Sequence, residues 1–440
     1  MPPVDAWSLA GFDAALVAQT YPGRPMTTHH VLELEAVVSI DRWRSAAVAW
    51  VAHFPELRSV VEFAPRLRQT VVKVEPADIH ARVESDDDAS EEAIERWINR
   101  SIDLWTPCPF RLRIAPGLVA AQSVTLSLHH SVTDGSGALM LFDALLELVQ
   151  GHALPARSQR RPSAAVAVPW RALWRRVAAL SRPRAAVQDT VDTVDTDATG
   201  HRVLVQTLDA GCWRALTERA HACGVTRNTV LWHTAAQTTA AMPKLADADE
   251  PIRVLAAVDL RAAFGVADDM LGNWLGTIEH DLDGDDSDAG LRRLHAALRE
   301  QGDPALARAT PAVLGALVEH LPLGLARSLL RWVDSPRWPN THTILLSHIR
   351  PRMPHCWPTA LRPRRLWCTS LLPRKPGLGL TVTTMGDAVT IAASWRADAL
   401  RRASVEDFLS RWTAAMDRPL GHRAASPSPE SPASARAARA

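Results

Sequence analysis

The run Leu126-Ser127-Leu128-His129-His130-Ser131-Val132-Thr133-Asp134-Gly135-Ser136-Gly137 constrains this chain more than any other stretch. Val124, Leu126 and Leu128 alternate with Thr125 and Ser127, the period-two pattern of a half-buried strand. Beyond Gly137, Ala138, Leu141, Leu145 and Leu148 recur at helical spacing, and Gly151 is placed to stop the helix. The paired histidines therefore fall at a strand-to-helix junction, where a side chain is carried on the end of a rigid element. A histidine held there takes a proton near neutral pH if one ring nitrogen is anchored and the other is left free. Asp134 either orients the ring of His130 or forms an ion pair that holds the loop, and Gly135 and Gly137 permit tight turns and close approach of a substrate.

The pattern His-His-x-x-x-Asp-Gly resembles the active-site motif of the CoA- and carrier-protein-dependent acyltransferases with the chloramphenicol-acetyltransferase-like fold. That superfamily includes peptide-synthetase condensation domains, wax ester synthases, polyketide-associated acyltransferases and plant acyltransferases. His129, His130, Asp134 and Gly135 match at every fixed position. The resemblance implies an α/β fold of two similar lobes forming a pseudo-dimer, with a channel between them. It also implies that His130 is the catalytic base, that Asp134 is mainly structural and that His129 supports the loop.

The wider sequence is consistent with such a protein. Its 440 residues suffice for two or three domains, and 47% apolar content is that of a globular chain. Lys+Arg of 49 against Asp+Glu of 48 gives a net charge of +1, so no general attraction to nucleic acid or acidic membranes is expected. The N-terminus has no basic segment followed by an apolar core, and no apolar run is long enough to span a membrane, so a soluble, cytoplasmic protein is expected. Cys108, Cys212, Cys223, Cys356 and Cys368 are scattered and show no Cys-x-x-Cys spacing, which indicates neither a disulfide framework nor a metal site.

Four regions are expected: an N-terminal lobe over 1–152, a connection over 153–200, a C-terminal lobe over 201–420 and a disordered tail over 421–440. The first lobe reads as mixed α/β, with a strand from Thr28 to Val38 and a helix capped by Ser39 or Asp41 whose face is Trp43, Ala47, Trp50 and Val51. A second histidine pair, His29-His30, lies inside that strand without a following Asp-Gly and reads as structural. The connection is rich in Arg, Pro and Ala, with one helix expected from Trp170 to Leu180 and a polar stretch from Asp189 to Asp197. The second lobe opens with a strand from His201 to Leu208, a helix from Gly211 to Cys223 and another helix toward Met242. Further on, Arg253–Val258 and Thr343–Leu346 read as strands, Gly379–Met385 and Ala388–Trp395 as a hairpin, and Ser404–Met416 as a closing helix. The tail is too poor in large apolar groups to order.

Several of these segments resemble the same superfamily. His53-Phe54-Pro55-Glu56-Leu57-Arg58 is similar to its arginine-bearing segment after the first helix, and Ile102-Asp103-Leu104 with Pro109-Phe110-Arg111 to the stretch before the active-site strand. In relatives the motif aspartate is often ion-paired to an arginine from the second lobe, and the resemblance points to Arg261, with Arg58 as second choice. A carboxylate withdrawn from water needs such a partner. Leu271-Gly272-Asn273-Trp274 resembles the Gly-Asn step lining the channel, where Asn273 either donates to substrate or satisfies a turn. Ser347-His348-Ile349-Arg350 departs from the usual Ser-Asn-x-Gly, with His348 for the asparagine and Arg350 for the glycine. The Asp-Phe-Gly-Trp-Gly motif of the plant branch is absent.

The expected reaction moves an acyl group, other than an aminoacyl group, from a thioester to an alcohol or amine. The thioester is carried on CoA or on the phosphopantetheine arm of an acyl carrier protein. His130 acts as general base, with Ser136, Asn273, Ser347 and His348 lining the substrate channel and Gly135, Arg261 and Arg58 supporting the site. No metal or permanently bound cofactor is called for, and a monomer is expected. The alternative is a catalytically silent, condensation-like module that binds a carrier protein.

Overall fold

In the computed structural model the described residues are 6–9, 11–20, 25–63, 67–156, 168, 170–171, 174, 200–242, 252–282, 287–333, 344–350, 360–370 and 377–417. The motif strand, Gln122–His129, lies within a five-stranded sheet and is buried along its whole length. Across that sheet the strands run Pro363–Ser370, Thr27–Leu34, Gln122–His129, Phe110–Ala115 and Val83–Ser85. One face carries Leu32, Leu34, Val124, Leu126 and Leu128 into a core shared with helices Ile40–His53 and Gly135–Gln150. Both helices follow from local chemistry. Ser39 caps the first, whose Trp43, Ala47, Trp50 and Val51 are all buried; Asp134 caps the second, and Gly151 ends it at φ 88° in the left-handed conformation glycine adopts most readily.

The second sheet has six strands in the order Leu275–Leu282, Ile252–Asp259, Ile344–Ile349, Leu378–Met385, Ala388–Arg396 and His201–Leu208. Its core includes Leu216, Val230, Leu380, Ile391, Phe408 and Trp412, drawn from the sheet and from helices Ala210–Ala222, Arg227–Ala240 and Arg402–Met416. The hairpin Leu378–Met385 to Ala388–Arg396 turns at Gly386, and its eight-residue antiparallel register aligns Leu378 with Trp395. A small three-stranded sheet, Ala6–Ser8, Leu67–Val71 and Ser59–Phe63, completes the β structure among the described residues.

Two connections tie the lobes together. Pro363–Ser370 follows the second lobe's strands in sequence yet pairs antiparallel with Thr27–Leu34, matching Leu366 to Leu32 and Cys368 to His30. This exchanged strand lies within the span expected for the C-terminal lobe, 201–420. The physical reason for the exchange is apolar packing on both faces: Leu366 and Cys368 enter the first lobe's core while Trp367 packs with Val31, Val203 and Ala392. At the other end of the chain, helix Phe12–Gln19 is almost wholly buried and packs with Val318, Ala326 and Leu330 from the second half.

Within the connection expected over 153–200, residues 157–167 and 175–199 lie outside the described residues, as do most of the helix expected from Trp170, the stretch from Asp189 to Asp197, Cys356 and the tail 421–440. Among the described residues no helix is long and apolar enough to cross a membrane, and no three His, Cys, Asp or Glu side chains gather as a metal site would require.

Candidate active site

The motif strand ends at His129, paired with Thr27, and the next backbone N–H, that of His130, donates to the Met26 carbonyl at 2.8 Å. The strand thereby delivers both histidines to the C-terminal end of the sheet's central strand in fixed positions.

His129 is saturated. Its Nδ1 accepts from the Ser131 N–H at 3.0 Å, and its Nε2 lies 2.8 Å from the Thr20 hydroxyl. That hydroxyl gives its only proton to the Leu16 carbonyl at 2.8 Å, so at Thr20 it accepts and His129 Nε2 carries the hydrogen. Burial, then the neighbouring His130, hold the His129 pKa down to about 3, so the ring is neutral and has no lone pair to offer.

His130 is arranged the other way round. Its Nδ1 lies 3.1 Å from Asn273 Oδ1. The Asn273 amide nitrogen donates to Asp13 Oδ1 at 2.8 Å and to the His130 carbonyl at 2.7 Å, which uses both of its hydrogens on atoms that can only accept. The amide oxygen therefore faces the ring, and His130 Nδ1 must carry the hydrogen. Nε2 is left with its lone pair and has no hydrogen-bond partner among the described residues. Unlike the fully buried His129, the His130 side chain is only half-buried. Burial lowers its pKa from 6.5, while Asn273, Asp134 and Asp13 act in the opposite direction, so the ring is neutral at pH 7.

Asp134 does not touch the ring. It caps helix Gly135–Gln150 through the Gly137 N–H at 3.0 Å and accepts from the Trp274 N–H at 2.8 Å and from Arg261 Nη1 at 2.9 Å. Of the two roles open to it, Asp134 takes that of the ion pair. Arg261, with no exposure, also donates to Asp259, to the Met270 carbonyl and to the Gly272 carbonyl. Its burial would lower the guanidinium pKa, but Asp134 and then Asp259 outweigh this and raise it. Arg58 lies in the short turn Pro55–Arg58, makes no ion pair with Asp134, and is half-buried.

Two glycines make this junction possible. A Cβ on Gly137 would fall 1.9 Å from the Thr133 hydroxyl, and Gly272 holds φ 115° so that its carbonyl can receive Thr133 at 3.2 Å and Arg261 at 3.2 Å. Gly135 is different, since a Cβ there would make only an ordinary 3.7 Å contact with Ile349. Gly135 and Ser136 are half-buried, and their N–H groups, at the start of a 16-residue helix, make no hydrogen bond within the described residues.

Asn273, expected to face substrate or satisfy a turn, is fully buried and bonded at both ends of its amide. Arg308 donates to the Asn273 carbonyl at 3.0 Å and anchors this segment from behind. Ser347 and His348 are half-buried near the end of strand Ile344–Ile349, and His348 binds Asn228. His29 and His30 are buried within their strand, bonded to Ser127 at 2.8 Å and to Cys368 at 3.1 Å. Asp13 and Arg308 escaped the sequence reading. Neither lies in a recognisable motif, and only the folded chain brings Asp13 to a residue 260 positions away.

No protein-family model matches the sequence, and no curated protein matches it significantly. Solved structures do match over nearly the whole chain. The trichothecene 15-O-acetyltransferase TRI3 of Fusarium sporotrichioides superposes with a TM-score of 0.68 at 12% identity, covering 94% of each chain. The first condensation domain of the CDA synthetase gives 0.64 at 15% identity, covering 95% of this chain and 96% of that one. The chain has the chloramphenicol-acetyltransferase-like fold. It also superposes on the nonribosomal peptide synthetase FmoA3 with a TM-score of 0.67 at 19% identity, covering 96% of this chain but only 44% of the synthetase's length. In this fold's two-lobed arrangement, the motif junction of the first lobe meets Arg261 and Asn273 of the second.

Proposed function

We propose that the chain is a condensation-type acyltransferase that moves an acyl group from a thioester, on CoA or on a carrier protein's phosphopantetheine, to an alcohol or amine. The observation that carries this reading is the lock on His130: Asn273 fixes the hydrogen on Nδ1 and leaves the Nε2 lone pair available. In the reaction Nε2 takes the proton of the acceptor hydroxyl or amine as its oxygen or nitrogen attacks the thioester carbonyl. The carbon–sulfur bond then breaks, and the proton passes from Nε2 to the departing thiolate. Such base assistance contributes about 10²- to 10⁴-fold. The Gly135 and Ser136 amides at the helix start are the donors proposed for the developing oxyanion. The donor is proposed to be acyl rather than aminoacyl, by analogy with the acetyltransferase among the matched structures. No permanently bound cofactor is invoked, and each monomer is proposed to work alone through a channel between its lobes, in the cytoplasm.

A second reading, a silent module that binds a carrier protein, draws on the altered segment at His348 and Arg350. Incubation with a panel of acyl thioesters and mixed acceptors separates the two. Thiol release by the wild type, reduced at least a hundredfold in His130→Ala, supports transfer; equal release by both proteins overturns it, and carrier binding without turnover supports the silent module.

A further inference from the structure

Strand Ile344–Ile349 pairs with Ile252–Asp259 only at Ile344 with Val254 and Leu345 with Leu255. From Leu346 onward the two strands part, although each continues to pair with its other neighbour. The ends of this opening flank the motif. Beyond Asp259, Arg261 grips Asp134, while on the other strand Ile349 lies beside Gly135. At the rim, one residue to either side of Ile349, stand His348 and Arg350.

Around them is a cluster of basic groups. His348 Nδ1 is 2.6 Å from Asn228 Oδ1, and its ring meets the edge of Trp213 at 5.7 Å. Because the amide oxygen accepts, Nδ1 carries the hydrogen and Nε2 is free to accept from Arg350 Nε at 3.4 Å. Among the described residues, neither terminal nitrogen of Arg350 makes a hydrogen bond. Arg227, at the first position of helix Arg227–Ala240, lies 5.4 Å over Trp213. Neither arginine forms an ion pair among the described residues. Burial and then Arg227 lower the pKa of Arg350, while burial, Arg350 and Arg227 hold His348 down to about 3. Arg227 on Trp213, Trp213 against His348 and His348 against Arg350 thus bring two guanidinium groups, with no ion pair among the described residues, to one cluster that favours a bound anion. Their planar donor forks suit phosphate oxygens.

We infer that Arg227 and Arg350, set by Trp213 and His348, bind the phosphate of a pantetheine-borne acyl donor whose arm passes through the opening between the strands toward Gly135 and His130. This rests on the acyl-transfer reading and gives the departure from Ser-Asn-x-Gly a function. CoA and a carrier protein share this phosphopantetheine chemistry.

Calorimetric titration of the full chain with phosphopantetheine and pantetheine tests the site without any turnover. The wild type is expected to bind phosphopantetheine at least tenfold more tightly than pantetheine, a preference that weakens with salt. Arg227→Gln/Arg350→Gln should abolish it, and Arg350→Gly should reduce it, with melting temperatures confirming that both variants fold. His130→Ala should retain it, which separates failure of this site from failure of catalysis. Equal affinity for the two compounds in the wild type, an unchanged preference in the double variant, or no binding of either overturns the assignment. Given the preference, tighter binding of CoA than of a phosphopantetheinylated carrier identifies the free donor, and the reverse order identifies the carrier.

Discussion

Asn273 Oδ1 stands 3.1 Å from His130 Nδ1 and is held there by two hydrogen bonds from its own amide nitrogen, one of them to Asp13. The result is that adjacent histidines adopt opposite tautomers: His129 carries its hydrogen on Nε2 and His130 on Nδ1. Replacing Asn273 with alanine removes the lock without touching the base. We predict a fall in kcat of about tenfold or more with little change in KM, since the wrong tautomer becomes accessible and Nε2 is no longer always free. Steady-state kinetics of Asn273→Ala check this. A raised KM at unchanged kcat would instead make Asn273 a substrate contact.

The buried pair Asp134–Arg261 should be structural in its energetics. Truncating Arg261 to alanine is expected to cost about 3–5 kcal/mol, because Asp134 is left buried without a counter-ion, whereas Asp134→Ala should cost less, because Arg261 keeps Asp259. Arg261→Lys should not recover this, since one ammonium cannot reach Asp134, Asp259 and the two carbonyls that the guanidinium spans. Urea unfolding of the three variants gives the comparison.

Gly135 and Gly137, two residues apart, should respond differently to alanine. Gly137→Ala drives a methyl group into Thr133 and should destabilise the protein by about 1–3 kcal/mol. Gly135→Ala meets only Ile349 at 3.7 Å, so its melting temperature should stay near that of the wild type while any loss appears in the kinetics of the acyl donor. Thermal melts of both variants, followed by donor KM for Gly135→Ala, test the contrast.

Protons report on the same histidines. His129 and His30 are each held down to about 3, and His29 well below 6.5, with burial the leading cause in all three. Because the unfolded chain binds these protons near pH 6.5 and the folded chain does not, their contribution to stability is present above about pH 6.5 and is lost as pH falls toward 3. Each histidine should remove about 1 kcal/mol per pH unit across that window. Denaturant unfolding between pH 7.5 and 5 should show the decline, and His129→Gln should flatten it. Activity should follow a different course: with the His130 pKa lowered, kcat/KM should stay level from pH 8 to below 6.5 before falling.

Much of this arrangement is written locally. The alternation through Leu128, the helical spacing from Ala138 and the stop at Gly151 define the junction that carries His130, and the observed strand and helix follow them. The pairing of Arg261 with Asp134 is reached by resemblance and seen in the structure. What stays hidden is what depends on distant partners. Pro363–Ser370 joins the first sheet because both of its faces find apolar partners, which no local period reveals. Asp13 and Arg308 act only through Asn273, so no motif announces them.

The most direct test of the His130 assignment is nitrogen-15 NMR of histidine-labelled protein at pH 7, with His130→Gln used to assign the resonances. A protonated Nδ1 and an unprotonated Nε2 are expected for His130, and the reverse pattern for His129. A charged His130 ring, or one with its hydrogen on Nε2, would contradict it.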